Sequence, residues 1–125
     1  MPRIAIIGAS SNREKFGNKC VRAYLSQGWI VYPINPQETS IEGLTAFASL
    51  RDVPAGKLDR VSLYLSPKRL PPILEEIAER EVGELWFNPG THDESILSEA
   101  RSKNLPAVIG CSIVDIGISP HDLPK

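Results

Sequence analysis

No stretch of this chain is apolar for more than four residues, as at Ile4–Ile7, against the roughly 20 that a membrane-spanning helix requires. A membrane-embedded chain is therefore not expected. Met1-Pro2-Arg3 leads straight into that short run, without the long apolar segment and small-residue cleavage site of a secretory signal, so the expected location is cytoplasmic. Neither sign of charge is in excess: 14 Lys and Arg face 15 Asp and Glu, a net charge of -1. The broad cationic field that drives sequence-independent nucleic-acid binding is missing, and no nucleic-acid partner is expected. Cysteine is scarce. Cys20 and Cys111 stand far apart and outside any C-x-x-C pair, which excludes zinc and thioredoxin-type signatures and leaves two reduced thiols. Asp115 and Asp122 near His121 form no metal-ligand spacing, so no metal is expected.

Proline, by contrast, is abundant, with 11 in 125 residues against an average near 5%. Pro36, Pro67, Pro89 and Pro106 fall at strand exits or helix starts, where a fixed φ and a missing N–H cost little. Between these punctuation marks, short apolar runs alternate with segments of helical periodicity, the pattern of βαβ units. Strands are expected at Ile4–Ile7, Ile30–Ile34, Val61–Leu65, Leu85–Phe87 and Ala107–Ile109. The predicted fold is a three-layer, Rossmann-like, doubly wound sheet of about five parallel strands, one domain over residues 1–125 with 119–125 as a tail.

Three helices are expected. The first, 16–27, places Gly17, Cys20, Val21, Tyr24 and Leu25 on one stripe and closes at Gly28. The second takes Ser66 as its N-cap, buries Ile73, Leu74, Ile77 and Ala78, and its connection ends at Gly83. For the third, Thr91 and Glu94 read as a capping box ahead of Ile96, Leu97 and Ala100. Residues 35–58 read as a loop-rich crossover with one short helical candidate at Ser49–Val53.

The first βα turn is Gly8-Ala9-Ser10-Ser11-Asn12. Such turns hold phosphates, because glycine admits close approach and the helix N-terminus offers free N–H groups and a positive dipole end. The dinucleotide fingerprint is only partly matched, since Ser10 replaces its second glycine. A bulky residue at Gly8 is expected to block a diphosphate and spare the fold. The second strand ends at Asn35-Pro36, an amide where NAD-binding domains place an acid for the ribose hydroxyls. A ribose phosphate would thus meet no repulsion there. Arg13 and Lys15 lie between the turn and the helix, as partners of a second phosphate or as plain solvated charges.

Gly8-Ala9-Ser10, Tyr32-Pro33-Ile34-Asn35-Pro36, Ile41-Glu42-Gly43, Ser49-Leu50 with Val53-Pro54, Trp86 through Pro89-Gly90, and Cys111 together resemble the small stand-alone CoA-binding domain proteins over residues 3–116. The resemblance implies a fold similar to the N-terminal domain of the succinyl-CoA ligase α subunit, with CoA or an acyl-CoA across the strand C-termini. It implies a diphosphate on Gly8, Ala9 and Ser10, an adenosine end near Asn35 and Pro36, and crevice walls from Ser66, Pro67, Asn88, Pro89 and Gly90. Gln37 and Glu38 stand near the position of a CoA-contacting lysine of the ligase, and Asn88 replaces a frequent glutamine. The ligase's phosphohistidine belongs to a second domain without a counterpart in this sequence, so ligase activity does not carry over.

No catalytic constellation is visible. His92 fits a helix start, with no nucleophile at a matching spacing. Cys20 belongs to the core stripe, and Trp29 and Trp86 read as core. Cys111, just past the last strand, is either packed or facing the crevice, where it would meet the thiol end of CoA. The expected ligand is a small-molecule nucleotide, with a protein partner or homo-oligomer left open. An NADP-binding oxidoreductase or redox-sensing domain is the alternative.

Overall fold

A computed structural model describes residues 1–124. Five parallel strands, β1 (Arg3–Ile7), β2 (Ile30–Ile34), β5 (Leu58–Leu63), β6 (Val82–Phe87) and β7 (Ala107–Ile109), form one sheet in the order β2-β1-β5-β6-β7. Helices α1 (Phe16–Ser26), α2 (Pro71–Ala78), α3 (Glu94–Ser102) and the single turn α4 (Ser112–Asp115) connect or follow them. A two-stranded hairpin, β3 (Ser40–Ile41) with β4 (Leu44–Thr45), lies within the crossover.

Alternation along β1 divides the core, because successive side chains leave a strand on opposite faces. Ile4 and Ile6 pack with Cys20, Val21, Tyr24 and Ile113 on the α1 and α4 side. Ala5 and Ile7 pack with Leu74, Ile77, Ile96 and Leu97 on the α2 and α3 side. The three layers are those of a Rossmann-like sheet, with the parallel strands covered on both faces as their continuous apolar runs require. No helix among the described residues is long and apolar enough to cross a membrane.

Several boundaries differ from the sequence reading. The third sheet strand begins at Leu58 and ends at Leu63, short of the expected Leu65. Gly83 does not end a helical connection but lies inside β6, where a Cβ would stand 2.6 Å from the Asp59 carbonyl oxygen. Ser66 caps nothing with its side chain; a 3-10 turn, Pro67–Arg69, separates it from α2, and Ala78 is exposed. Thr91 is not the cap of α3: Asp93 is, its Oδ1 accepting from Ile96 N at 2.8 Å. Thr91 Oγ1 instead donates to the Asn88 carbonyl at 2.6 Å. Ser49 caps the expected short turn, Leu50–Asp52. Residues 119–125 read as a tail, yet Pro120 is buried, Leu123 packs on the α1 core, and Arg22 donates to the Pro124 carbonyl. Trp29 and Trp86 do more than fill space: they flank the Arg60 guanidinium at 5.3 and 5.1 Å, while Glu84 and Asp115 neutralise it.

Candidate functional site

The turn after β1 is shaped by two glycines. Gly8 takes φ +89°, and a Cβ there would lie 2.7 Å from the Tyr64 carbonyl oxygen. At Gly17 a Cβ would lie 2.3 Å from the Gly8 carbonyl oxygen, so α1 can start this close to β1 only as glycine. Buried Asn18 braces the turn, donating to the Ser10 carbonyl at 2.9 Å and the Glu42 carboxylate at 3.0 Å. No side chain caps α1 and no acid sits in its first turn. Its positive end is thus left to whatever lies in front of it.

In front lies a cavity of about 430 Å³, lined by Gly8, Ala9, Lys15, Phe16, Gly17, Asn35, Pro36, Gln37, Tyr64, Leu65 and Arg69. A second cavity of about 290 Å³ adjoins it, lined by Phe16, Tyr64, Leu65, Ser66, Asn88, Pro89, Gly90, Thr91 and Cys111. Phe16, Tyr64 and Leu65 are common to both and form a waist. The first chamber carries two cations, Lys15 and Arg69; the second carries no charged side chain. Both lie at the carboxyl ends of the strands, where open α/β sheets take ligands.

The twelve candidate residues divide accordingly. Gly8, Ala9, Lys15, Asn35 and Pro36 meet in the first chamber, and Ser66, Asn88, Pro89 and Gly90 in the second. Ser10 lies in the turn beside them, its Oγ accepting from Asn12 N at 3.0 Å. Pro67 opens the 3-10 turn behind Ser66 and lines neither chamber. Arg13 faces away: it pairs with Glu42 at 3.4 Å and borders a separate surface depression with Lys19 and His121. Arg69, Phe16 and Tyr64 were not legible as site residues, since they reach the chambers only through the packing of separate elements. Arg69 has no side-chain partner among the described residues.

Asn88 is buried and fully used. Its Nδ2 donates to Ser62 Oγ at 2.8 Å and to the Leu63 carbonyl at 2.9 Å, while its Oδ1 accepts from Ser112 N at 2.9 Å. Cys20 lies beneath the same network, its Sγ 3.7 Å from Ser112 Oγ, and burial pushes its thiol up to about 11. Burial likewise holds the Tyr64 hydroxyl far above its ordinary range, so both stay protonated at neutral pH. Cys111 is half-buried at the wall of the second chamber.

At the adenosine end expected from the sequence the structure differs in one respect. Asn35 Oδ1 accepts from the backbone N–H of Gln37 at 2.7 Å and of Glu38 at 3.2 Å, turning the chain back. Glu38 thereby returns its carboxylate to Asn35 Nδ2 at 3.1 Å and Ser11 N at 3.0 Å. The place read as free of negative charge has a carboxylate beside it.

Comparison with known proteins agrees with this architecture. The profile of the CoA binding domain matches residues 2–117. An uncharacterized protein of Bacillus subtilis, YneT, is 24% identical over 111 residues, covering 89% of this chain and 82% of its own. The α subunit of ADP-forming acetate–CoA ligase II from Pyrococcus furiosus is 34% identical over 126 residues, covering 90% of this chain. The match spans only 27% of that subunit, so its activity as a whole is not at issue here. A solved structure of a conserved hypothetical protein from Pyrococcus furiosus superposes with a TM-score of 0.84 at 33% identity, covering 92% of this chain and 99% of that one. The chain belongs to the CoA binding domain family.

Proposed function

We propose that this domain binds CoA or an acyl-CoA as a cytoplasmic binding module without catalytic apparatus of its own. The observation that carries the reading is the pair of chambers joined at Phe16, Tyr64 and Leu65, one flanked by cations and by the bare N-terminus of α1, the other uncharged. CoA has the same two parts. Its diphosphate would lie on Gly8, Ala9 and Ser10 with Lys15 and Arg69 as counter-charges, its adenosine near Asn35 and Pro36, and its pantetheine arm along Ser66 and Asn88–Gly90 toward Cys111. The residues fit the ligand: a Cβ at Gly90 would meet no protein atom within 4 Å, so that wall is open to an incoming group.

Calorimetric titration tests the reading, with CoA expected to bind more tightly than NAD or NADP; equal or stronger binding of NAD overturns it. Lys15→Ala and Arg69→Ala should each weaken CoA binding by roughly one to two decades, the range for hydrogen bonds to charged groups. Arg13→Ala, whose guanidinium faces Glu42, serves as the control. One observation favours a second reading, an NAD(P)-binding oxidoreductase or redox-sensing domain: Glu38 stands beside Asn35, close to where dinucleotide-binding domains hold a ribose with an acid. The same titration separates the two.

A further inference from the structure

The phosphate turn has an anion of its own. Ser11 N, one of the amides that the Gly8–Asn12 turn would offer to a phosphate, donates to Glu38 Oε2 at 3.0 Å. The same oxygen accepts from Asn35 Nδ2 at 3.1 Å, and Asn35 Nδ2 also donates to the Ala9 carbonyl at 2.9 Å. The carboxylate thus ties the end of β2 to the turn after β1. Hydrogen bonding from Ser11, and then the charge of Lys15, holds its carboxyl below the usual carboxylate range, so it is ionised at neutral pH. A phosphate brought to this turn meets a full negative charge already on one of its donors.

We propose that Glu38 is an internal competitor for the anion subsite: a ligand phosphate must exchange with the Glu38 carboxylate at Ser11 N, and Glu38 thereby sets the affinity and selectivity of the site for anionic ligands. The proposal rests on the reading that a ligand phosphate comes to the Gly8–Asn12 turn. Three features support it. The contact joins two loops 27 residues apart, so it holds the turn by tertiary structure and not by local geometry alone. Glu38 arrives there through the tight turn made by Asn35 Oδ1, which fixes the backbone N–H groups of residues 37 and 38. Lys15, whose charge acts on Glu38, also lines the first chamber, so one cation faces both the carboxylate and an incoming phosphate. A charge-assisted hydrogen bond is about twice as strong as a neutral one, which makes the ionised acid a real competitor where a glutamine would be a weak one.

The test is calorimetric titration of the parent protein and Glu38→Gln with CoA and, separately, with inorganic pyrophosphate. Glutamine keeps the shape and an acceptor for Ser11 N but not the charge; Glu38→Ala, checked by thermal melting, removes both. CoA should bind Glu38→Gln roughly fivefold or more tightly than the parent, the factor separating charged from neutral hydrogen bonds. The Ser11 amide resonance should move on substitution and again on ligand addition. Unchanged CoA binding overturns the proposal, and so does weaker binding, which would mark Glu38 as an acceptor for a ligand hydroxyl. If CoA binds neither protein while pyrophosphate binds Glu38→Gln more tightly, the CoA reading falls and the role of Glu38 stands. Binding of neither ligand to either protein overturns both.

Discussion

At Gly17 the distance between a helix and a strand is decided by one hydrogen atom. An added methyl group would stand 2.3 Å from the Gly8 carbonyl oxygen, with backbone and not a flexible side chain in the way. Gly17→Ala should therefore destabilise the fold by about 1–3 kcal/mol or more, measurable as a lower urea midpoint. Gly8 was readable from the sequence as the glycine of the first βα turn, but its closeness to the neighbouring strand was not. Its positive φ and the 2.7 Å approach to the Tyr64 carbonyl oxygen mean that Gly8→Val costs stability as well as ligand, contrary to the expectation of an intact fold. Cys20 was legible as a core thiol, and burial gives it a pH consequence. Its folded value, about 11, lies above the ordinary 9.0, so the folded state keeps a proton that the unfolded chain loses first. The associated stability is complete below about 9 and declines as pH rises toward about 11. Melting temperatures at about pH 8 and 10 should fall further for the parent than for Cys20→Ala.

Elements were legible wherever periodicity ran long enough to count. The first helix and all five strands of the sheet were found because each carries an apolar run or stripe, and the misplacements fell at their ends. Capping of α3 shows why. Thr91 and Asp93 both suit an N-cap chemically, and only the position of the chain, with Thr91 turned to the Asn88 carbonyl, assigns the role to Asp93. Asp93→Ala should cost about 1 kcal/mol and speed hydrogen exchange at the Ile96 amide. The hairpin at 40–45 was invisible for a different reason: strands of two residues have no period to read. Its turn holds Glu42 at φ +49° and Gly43 at φ +76°, a pairing more often made by Asn-Gly. Glu42 keeps that conformation while its carboxylate serves Asn18 and Arg13. The crossover read as loop-rich in fact delivers two carboxylates to this end of the sheet, Glu38 to Ser11 in the first βα turn and Glu42 to Arg13 and Asn18 just after it.

For the molecule as a whole, the sequence carried the layers and the end of the sheet at which the chambers open, because both follow from alternation and from the rule for parallel sheets. It did not carry the division into two chambers. That division comes from Phe16 at the start of α1 and from Tyr64 and Leu65 just past β5, two segments that meet only when β5 has paired with β1. The same topology governs how the chain reaches this state. β1 lies inside the sheet, flanked by β2 and β5, and every ladder of the sheet is parallel, so none can close as a local hairpin. The small hairpin is the exception, and pairs of its kind form in about 1–10 μs. The sheet itself has to wait for long crossovers to close, which places refolding in the range of about milliseconds or longer. As the chain is made, β1 thus has no neighbour on one side until α1 and β2 have followed it, and none on the other until β5 has, an apolar segment in need of shelter until both crossovers close.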